Sequence, residues 1–387
     1  MATVGARALT LPTVRILLDA TAVPSDRGGV GRYVDELLPA LARQGVDLVV
    51  ACQARDAAAT SALVPTAEIV TAPALTARRP VRMAWEQVGL PRLVRSSRAQ
   101  VLHSPHYTMP RLAGVPVVVT LHDATFFSHP DLHHPVKARF FRSAIRTAVR
   151  HAAGLVVPSE ATRDEVRRFA GGRVDQFQVA YHGVDANVFH VVDAAAQGRV
   201  RESLGLGDRP YVGFLGTLEP RKNVPALIRA WVRAVEGTVD PPALVLVGGR
   251  GWDTGVDPAI AAVPAGLTVL RPGYLPLGDL PGFLSGARVL AYPSLGEGFG
   301  LPVLEAMACG AAVLTTRELS LPEVGGAAVA YCGTDEASIA AGLGALLADD
   351  ARRAELSAAA IARAAAFTWD AAAAVHVAAY ASARRRA

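Results

Sequence analysis

The chain is poor in the residues that build covalent or metal-bonded scaffolds. Only three cysteines, Cys52, Cys309 and Cys332, occur in 387 residues. They are far apart, odd in number and set among apolar neighbours, which argues against a disulfide framework or a zinc site and leaves buried thiols. No apolar run reaches the roughly 18 to 20 residues that span a bilayer, and Met1–Arg7 is not followed by a secretory apolar segment, so a cytoplasmic location is expected. Charged residues make up 19% of the chain, with a formal net charge of +5. That excess is modest and no nucleic-acid module accompanies it, so DNA and RNA are not expected partners. The second half also lacks a clear Asp-x-Asp pair at a strand end, so neither a metal nor a bound cofactor is expected.

What the chain has is apolar sequence, 51% of it, enough for two domains each with its own core. Strand-like runs alternate with helical spacing at Val14–Asp19, Val101–Tyr107, Val117–Asp123, Gly154–Pro158 and Gln176–Ala180. The rhythm restarts at Tyr211–Gly216, Ala243–Gly249 and Arg288–Ser294, which is the pattern of an α/β chain with two doubly wound, Rossmann-like halves. The alanine-rich linker around Val191–Gly198 divides them into 1–192 and 193–368, and Phe367-Thr368-Trp369-Asp370 starts a last helix. Trp85–Leu93 reads as the end of another helix.

The chemistry concentrates in Glu297-Gly298-Phe299-Gly300-Leu301-Pro302-Val303-Leu304-Glu305. A buried strand precedes it, and a helix begins near Pro302 and stops at Gly310, since proline suits a first helical turn and glycine a helix end. The free N–H groups of such a helix start suit a phosphate, and Gly298 and Gly300 let the backbone approach one. Glu305, one turn in, is placed to accept from vicinal ribose hydroxyls, and Glu297 from hydroxyls on the far side. Arg221 and Lys222 stand at another helix start, capped by Asn223, and again suggest phosphate.

In the first half, Gly28-Gly29-Val30-Gly31-Arg32-Tyr33 follows a strand. A dinucleotide fingerprint needs a third glycine or alanine where Val34 stands and an acid at the end of the second strand, where Val49–Gln53 offers none. A loop with backbone donors for a diphosphate or for sugar hydroxyls remains, beside the plainer reading of a tight turn. His122 and Asp123 end an apolar strand, where open sheets place ligands; His103 and His106 read as structural. From Val136 to His151, Arg139, Arg142, Arg146 and Arg150 share one helical face. That face is either solvated or, for a lipid-linked acceptor, able to rest on anionic lipid through 136–151.

The Glu297–Glu305 segment resembles the Glu-x7-Glu element of retaining glycosyltransferases with a GT-B fold, in particular glycosyltransferase family 4. The resemblance covers most of the chain and is strongest from Gly216 to Gly326. It implies two Rossmann-like domains facing a central cleft, with 369–387 crossing back onto the first. It implies a catalytic set of His122, Arg221, Lys222 and Glu297, with Glu297 and His122 near the donor sugar and Glu305 on the ribose. Donor contacts follow at Gly29, Gly31, Thr217, Gly298, Phe299, Gly300 and Leu301, and Arg32 also faces the cleft. Many members carry an arginine where this chain has Thr217, and the resemblance then passes that role to Arg221. Thr217–Asn223, Trp85–Gln87 and Ser104–Tyr107 are similar to a mannosyltransferase branch. The expected reaction is metal-independent, retaining transfer of a hexose, mannose from GDP-mannose being favoured, to a glycan, a glycolipid or another small acceptor. A UDP-sugar donor, a sugar-nucleotide 2-epimerase or phosphorylase on the same fold, and an inactive nucleotide-sugar-binding scaffold are the alternatives.

Overall fold

The computed structural model describes residues 14–24 and 27–386. Its short apolar runs form two sheets, one of seven strands and one of six. The first contains β1 (Arg15–Asp19), β2 (Asp47–Cys52), β3 (Glu68–Thr71), β4 (Val101–Ser104), β5 (Val117–Thr120), β6 (Gly154–Val157) and β7 (Phe177–Val179), in the order β3-β2-β1-β4-β5-β6-β7. The second contains β8 (Tyr211–Leu215), β9 (Ala243–Val247), β10 (Val269–Gly273), β11 (Val289–Tyr292), β12 (Val313–Thr316) and β13 (Ala330–Cys332), in the order β10-β9-β8-β11-β12-β13. All pairings are parallel.

Parallel sheets are covered on both faces, which is why these strands are nearly all apolar. In β1, Ile16 and Leu18 pack with Tyr33, Leu37 and Leu41 of the helix Gly28–Arg43, whereas Leu17 joins Leu90, Val94 and Ile145 on the other face. The strand order reverses direction between β1 and β4, and again between β8 and β11. Such points open a crevice at the carboxyl ends of the strands, where ligands lodge. The two-domain GT-B architecture is therefore present.

The helix Trp369–Arg386 returns to the first sheet and lies against Gly28–Arg43, with Trp369, Ala373 and Tyr380 in that core. Gly183 permits this crossing, because a Cβ there would stand 2.1 Å from the Trp369 nitrogen. By length and composition the stretch Asp350–Arg386 reaches what a bilayer crossing requires. It is nevertheless two helices, Asp350–Ala364 and Trp369–Arg386.

Other local expectations need correction. Gly29 and Gly31 do not sit on a loop: the helix already starts at Gly28, entered through Arg27 at φ 58° and Gly28 at φ 36°. Trp85–Leu93 is the middle of the helix Arg79–Ser96, which tolerates Pro91 inside it. The alanine-rich linker becomes helical at Ala194, where the Asp193 side chain accepts from the Ala196 N–H as an N-cap. Asn223 precedes the helix Val224–Ala234 in the left-handed region without capping it, and donates its side chain to the Thr334 carbonyl at 2.8 Å.

Candidate active site

Because β8 and β11 are neighbours, the loops that leave their carboxyl ends meet. The loop after β8 ends in Arg221 and Lys222, and the loop after β11 carries Glu297. Glu297 is only 7% exposed. Its Oε1 lies 2.6 Å from Lys222 Nζ, 2.9 Å from the Tyr292 hydroxyl and 2.7 Å from the Ser294 hydroxyl, and its Oε2 lies 2.5 Å from Arg221 Nη1. A carboxylate buried this deeply is tolerable only with such partners. Burial alone would raise its pKa, but Arg221 and Lys222 pull it down to about 2. Lys222, buried and beside Arg221, is pushed below the ordinary lysine value.

Arg221 is committed to protein groups. Besides Glu297 it meets Glu219 at 2.6 Å and the Gly296 carbonyl at 2.5 Å. Its guanidinium thus holds the Glu297 loop in place, and the charges of Arg221 and Lys222 are matched by Glu219 and Glu297. Tyr292 and Ser294 were not expected at the site, although Tyr292-Pro293-Ser294 stands at the end of β11, directly before the acidic motif. Thr217 is half-buried, and its hydroxyl has no protein partner among the described residues.

The loop Glu297–Leu301 is pinned through its carbonyls. The Ser320 hydroxyl donates towards the carbonyls of Glu297 (2.8 Å) and Phe299 (2.9 Å). Ser159 and Thr162 of the first domain reach the Gly298 carbonyl at 2.7 and 3.1 Å. The Gly300 carbonyl accepts from Val303 and Leu304 at the start of the helix Leu301–Ala308. The backbone N–H groups of Glu297, Gly298, Phe299, Gly300 and Leu301 have no protein acceptor among the described residues. A run of oriented N–H groups at a helix start suits an anion or a set of hydroxyl oxygens.

Gly298 also has a packing role. A Cβ there would stand 1.7 Å from the His122 carbonyl oxygen, so the missing side chain admits the other domain. Gly300 sits at φ 105°, a left-handed conformation that suits glycine. The Phe299 side chain, 4% exposed, packs near Tyr181, His182 and Phe367. Leu301 is half-buried against the cores of both domains. For Phe299 and Leu301, then, only the backbone is placed to meet a donor.

From the first domain, His122 arrives just past the end of β5. Its Nε2 lies 2.7 Å from the Pro105 carbonyl. A carbonyl only accepts, so Nε2 carries the hydrogen and Nδ1 is left as an acceptor. Burial lowers its pKa and favours the neutral ring. His103 is buried between Thr120 (2.9 Å) and Tyr380 (2.8 Å), and His106 is half-buried and packs against Tyr107 and Phe141, so neither reaches the motif.

In the helix Gly28–Arg43, Gly29 faces open space, while a Cβ on Gly31 would meet the Arg27 side chain at 2.9 Å. Arg32 crosses to the second domain and pairs with Oε1 of Glu305. Glu305 is 2% exposed, and its Oε2 is buried with no hydrogen-bond partner among the described residues. Burial raises the Glu305 pKa and Arg32 opposes the rise. Sequence reasoning placed both residues at the cleft without pairing them. On the helix Pro135–His151, Arg142 donates to the Phe126 carbonyl at 2.6 Å and lies with Arg146 over the Phe127 ring, so only Arg139 and Arg150 are free of such contacts.

Two family models match in succession: "Glycosyltransferase Family 4" over residues 27–188 and "Glycosyl transferases group 1" over residues 197–363. An Escherichia coli protein named O-antigen chain mannosyltransferase B is 30% identical over 296 residues, covering 75% of this chain and 74% of that one. A D-inositol 3-phosphate glycosyltransferase from Xylanimonas cellulosilytica is 32% identical, covering 93% of each. Among solved structures, Anabaena Alr3699/HepE in complex with UDP and glucose superposes with a TM-score of 0.75 at 19% identity, covering 94% of this chain and 98% of that one. With both halves matched in order, and with relatives that align over most of their own length, the chain is a glycosyltransferase of the GT-B fold and belongs to glycosyltransferase family 4.

Proposed function

We propose that the enzyme transfers a hexose, mannose from GDP-mannose in the favoured case, from a nucleoside diphosphate sugar to an acceptor hydroxyl with retention of configuration. The observation that carries this reading is the buried, ionised Glu297, set between two cations and beside five free backbone N–H groups. Donor-sugar hydroxyls donate to Glu297 and to Nδ1 of His122. The N–H groups and Lys222 face the diphosphate, whose charge grows as it leaves. Glu305 receives a ribose hydroxyl on its unpartnered Oε2. The family resemblance implies front-face attack, in which the acceptor oxygen bonds to the anomeric carbon as the bond to the diphosphate breaks and the departing phosphate takes the acceptor proton.

The mannose preference is supported by the relatives. One is named a mannosyltransferase, and another, from Mycolicibacterium smegmatis, is 35% identical over 184 residues and named a GDP-mannose-dependent alpha-(1-6)-phosphatidylinositol monomannoside mannosyltransferase. A UDP-sugar donor is the second reading, favoured by the structural neighbour that holds UDP and glucose. Calorimetric titration with GDP, UDP and ADP separates the two readings. UDP binding at least tenfold tighter than GDP, about 1.4 kcal/mol, would overturn the GDP assignment. Product formed from GDP-mannose and examined by NMR at the anomeric carbon tests retention, and an inverted anomer would refute it.

A further inference from the structure

We infer that Arg32 is the positioning residue for Glu305, joining the two domains through the donor's ribose site, so that ribose binding and domain closure reinforce one another. This rests on the reading of Glu305 as the ribose ligand. Among the described residues, Arg32–Glu305 is the one ion pair that links the first domain to the second. It is also asymmetric. Arg32, half-buried with its guanidinium 5.5 Å from the Phe189 ring centre, engages Oε1, and Oε2 is left buried and without a partner. A carboxylate fixed through one oxygen presents the other as an oriented acceptor, which is what a single sugar hydroxyl needs.

The charges around Glu305 make Arg32 hard to replace. The titratable groups that face it are Arg32, Glu36 one turn further along the same helix, and the Cys309 thiol, which burial pushes up to about 12. Among the described residues, Arg32 is the cation that acts on Glu36. Burial first, and Asp185 next, push its carboxyl up to about 7. Arg32 is therefore the cation that opposes the rise burial imposes on the Glu305 carboxyl. Without it, the buried carboxyl takes up a proton at higher pH and ceases to be an acceptor-only group. With the domains apart, Arg32 is withdrawn from Glu305 and the ribose site is incomplete, so a donor that needs Glu305 favours closure by its differential affinity for the closed state.

The test is calorimetric titration of wild type, Arg32→Gln, Arg32→Lys, Glu305→Gln and the Arg32→Gln/Glu305→Gln double variant with GDP and UDP and with their 2′-deoxy and 3′-deoxy counterparts, at several pH values between about 6 and 8. Arg32→Gln is expected to weaken nucleotide binding by about tenfold or more. The loss is expected to deepen as pH falls, because the unaided Glu305 protonates, and Arg32→Lys should recover most of the affinity. In the Glu305→Gln background, Arg32→Gln should add less than a twofold change. Arg32→Gln binding within twofold of wild type across the pH range, or an equal loss with and without Glu305, overturns the inference. The deoxy nucleotides report on the ribose reading separately. If both bind wild type as tightly as the ribonucleotides, that reading fails; if either binds less tightly while Arg32→Gln has no effect, only the role of Arg32 falls.

Discussion

Replacing Glu297 by Gln keeps the side chain's shape and removes the charge between Arg221 and Lys222. Burial would raise this carboxyl, but the two cations bring it from the ordinary 4.5 to about 2. The difference, about 2.5 pH units, corresponds to about 3 kcal/mol in favour of the folded, ionised form. The group is 7% exposed, so solvent screens little of this. Since the folded value lies below the unfolded one, the stabilisation is complete above roughly pH 5 and is lost as pH falls through 4.5 towards 2. Wild type is expected to exceed Glu297→Gln by about 3 kcal/mol at pH 7 and by about half that at pH 3. Urea unfolding followed by tryptophan fluorescence measures this, with Trp231 reporting from the core of the second domain. The uncompensated approach of Arg221 and Lys222 can enlarge the gap at neutral pH but not reverse its sign. A gap equal at pH 3 and pH 7, or no gap at pH 7, would refute the reasoning.

Lys222→Ala is expected to lower kcat by about a hundredfold, within the 2 to 4 kcal/mol of a charge-assisted contact made in the transition state, with a smaller change in donor KM; steady-state kinetics at wild-type rates would remove Lys222 from the site. Gly298→Ala places a methyl 1.7 Å from the His122 carbonyl, a backbone atom that cannot swing aside, so the domains should separate, with a larger radius of gyration by small-angle scattering and a lower kcat/KM; unchanged values of both would show that the contact is not needed. Activity should survive exhaustive chelation, because Arg221 and Lys222 are fixed cations at the site; loss restored only by Mg²⁺ or Mn²⁺ would show that they do not suffice.

Much of the fold was legible because parallel strands buried on both faces leave uninterrupted apolar runs, as in Val117–Thr120 and Ala243–Val247. Elements without that signature were missed. β3, Glu68–Thr71, is an edge strand with exposed and half-buried residues, and it did not stand out. The helix at Gly28 was hidden because three glycines in a first turn, Gly28, Gly29 and Gly31, look like a loop when the dihedrals are unknown. At the site, Glu297, Lys222 and His122 could be named from their places at strand and helix ends. Their partners could not, because the Arg32–Glu305 pairing spans 273 positions and depends on how two domains meet. Gly298 is the sharpest case: sequence says only that a side chain is excluded, and the structure identifies the His122 carbonyl as what excludes it.

The junction between the domains is itself mostly polar, and this bears on how a donor enters. Glu323 of the second domain accepts from the N–H groups of Glu160 and Ala161 at 2.8 and 2.7 Å, taking up free donors at the start of a first-domain helix, and from the Tyr181 hydroxyl at 3.0 Å. Ser159 and Thr162 hold the Gly298 carbonyl, and Arg32 holds Glu305. Water can replace the hydroxyl–carbonyl bonds of Ser159 and Thr162 at small net cost, about 1 kcal/mol for a neutral pair, and the exchange at Arg32–Glu305 costs more because Glu305 is buried. Interfaces of this kind are expected to permit relative motion of the domains. The apolar part is narrower: Phe299 lies near His182, which stacks on Trp369 of the returning helix. A rotation that keeps this aromatic contact and exchanges the polar bonds for water opens the cleft without exposing the cores, while the Glu297 cluster, built within the second domain alone, stays intact. Opening therefore separates His122 and Arg32 from the donor loop and leaves Lys222 and Arg221 in place around Glu297, so the second domain can receive a nucleotide before the first completes the site.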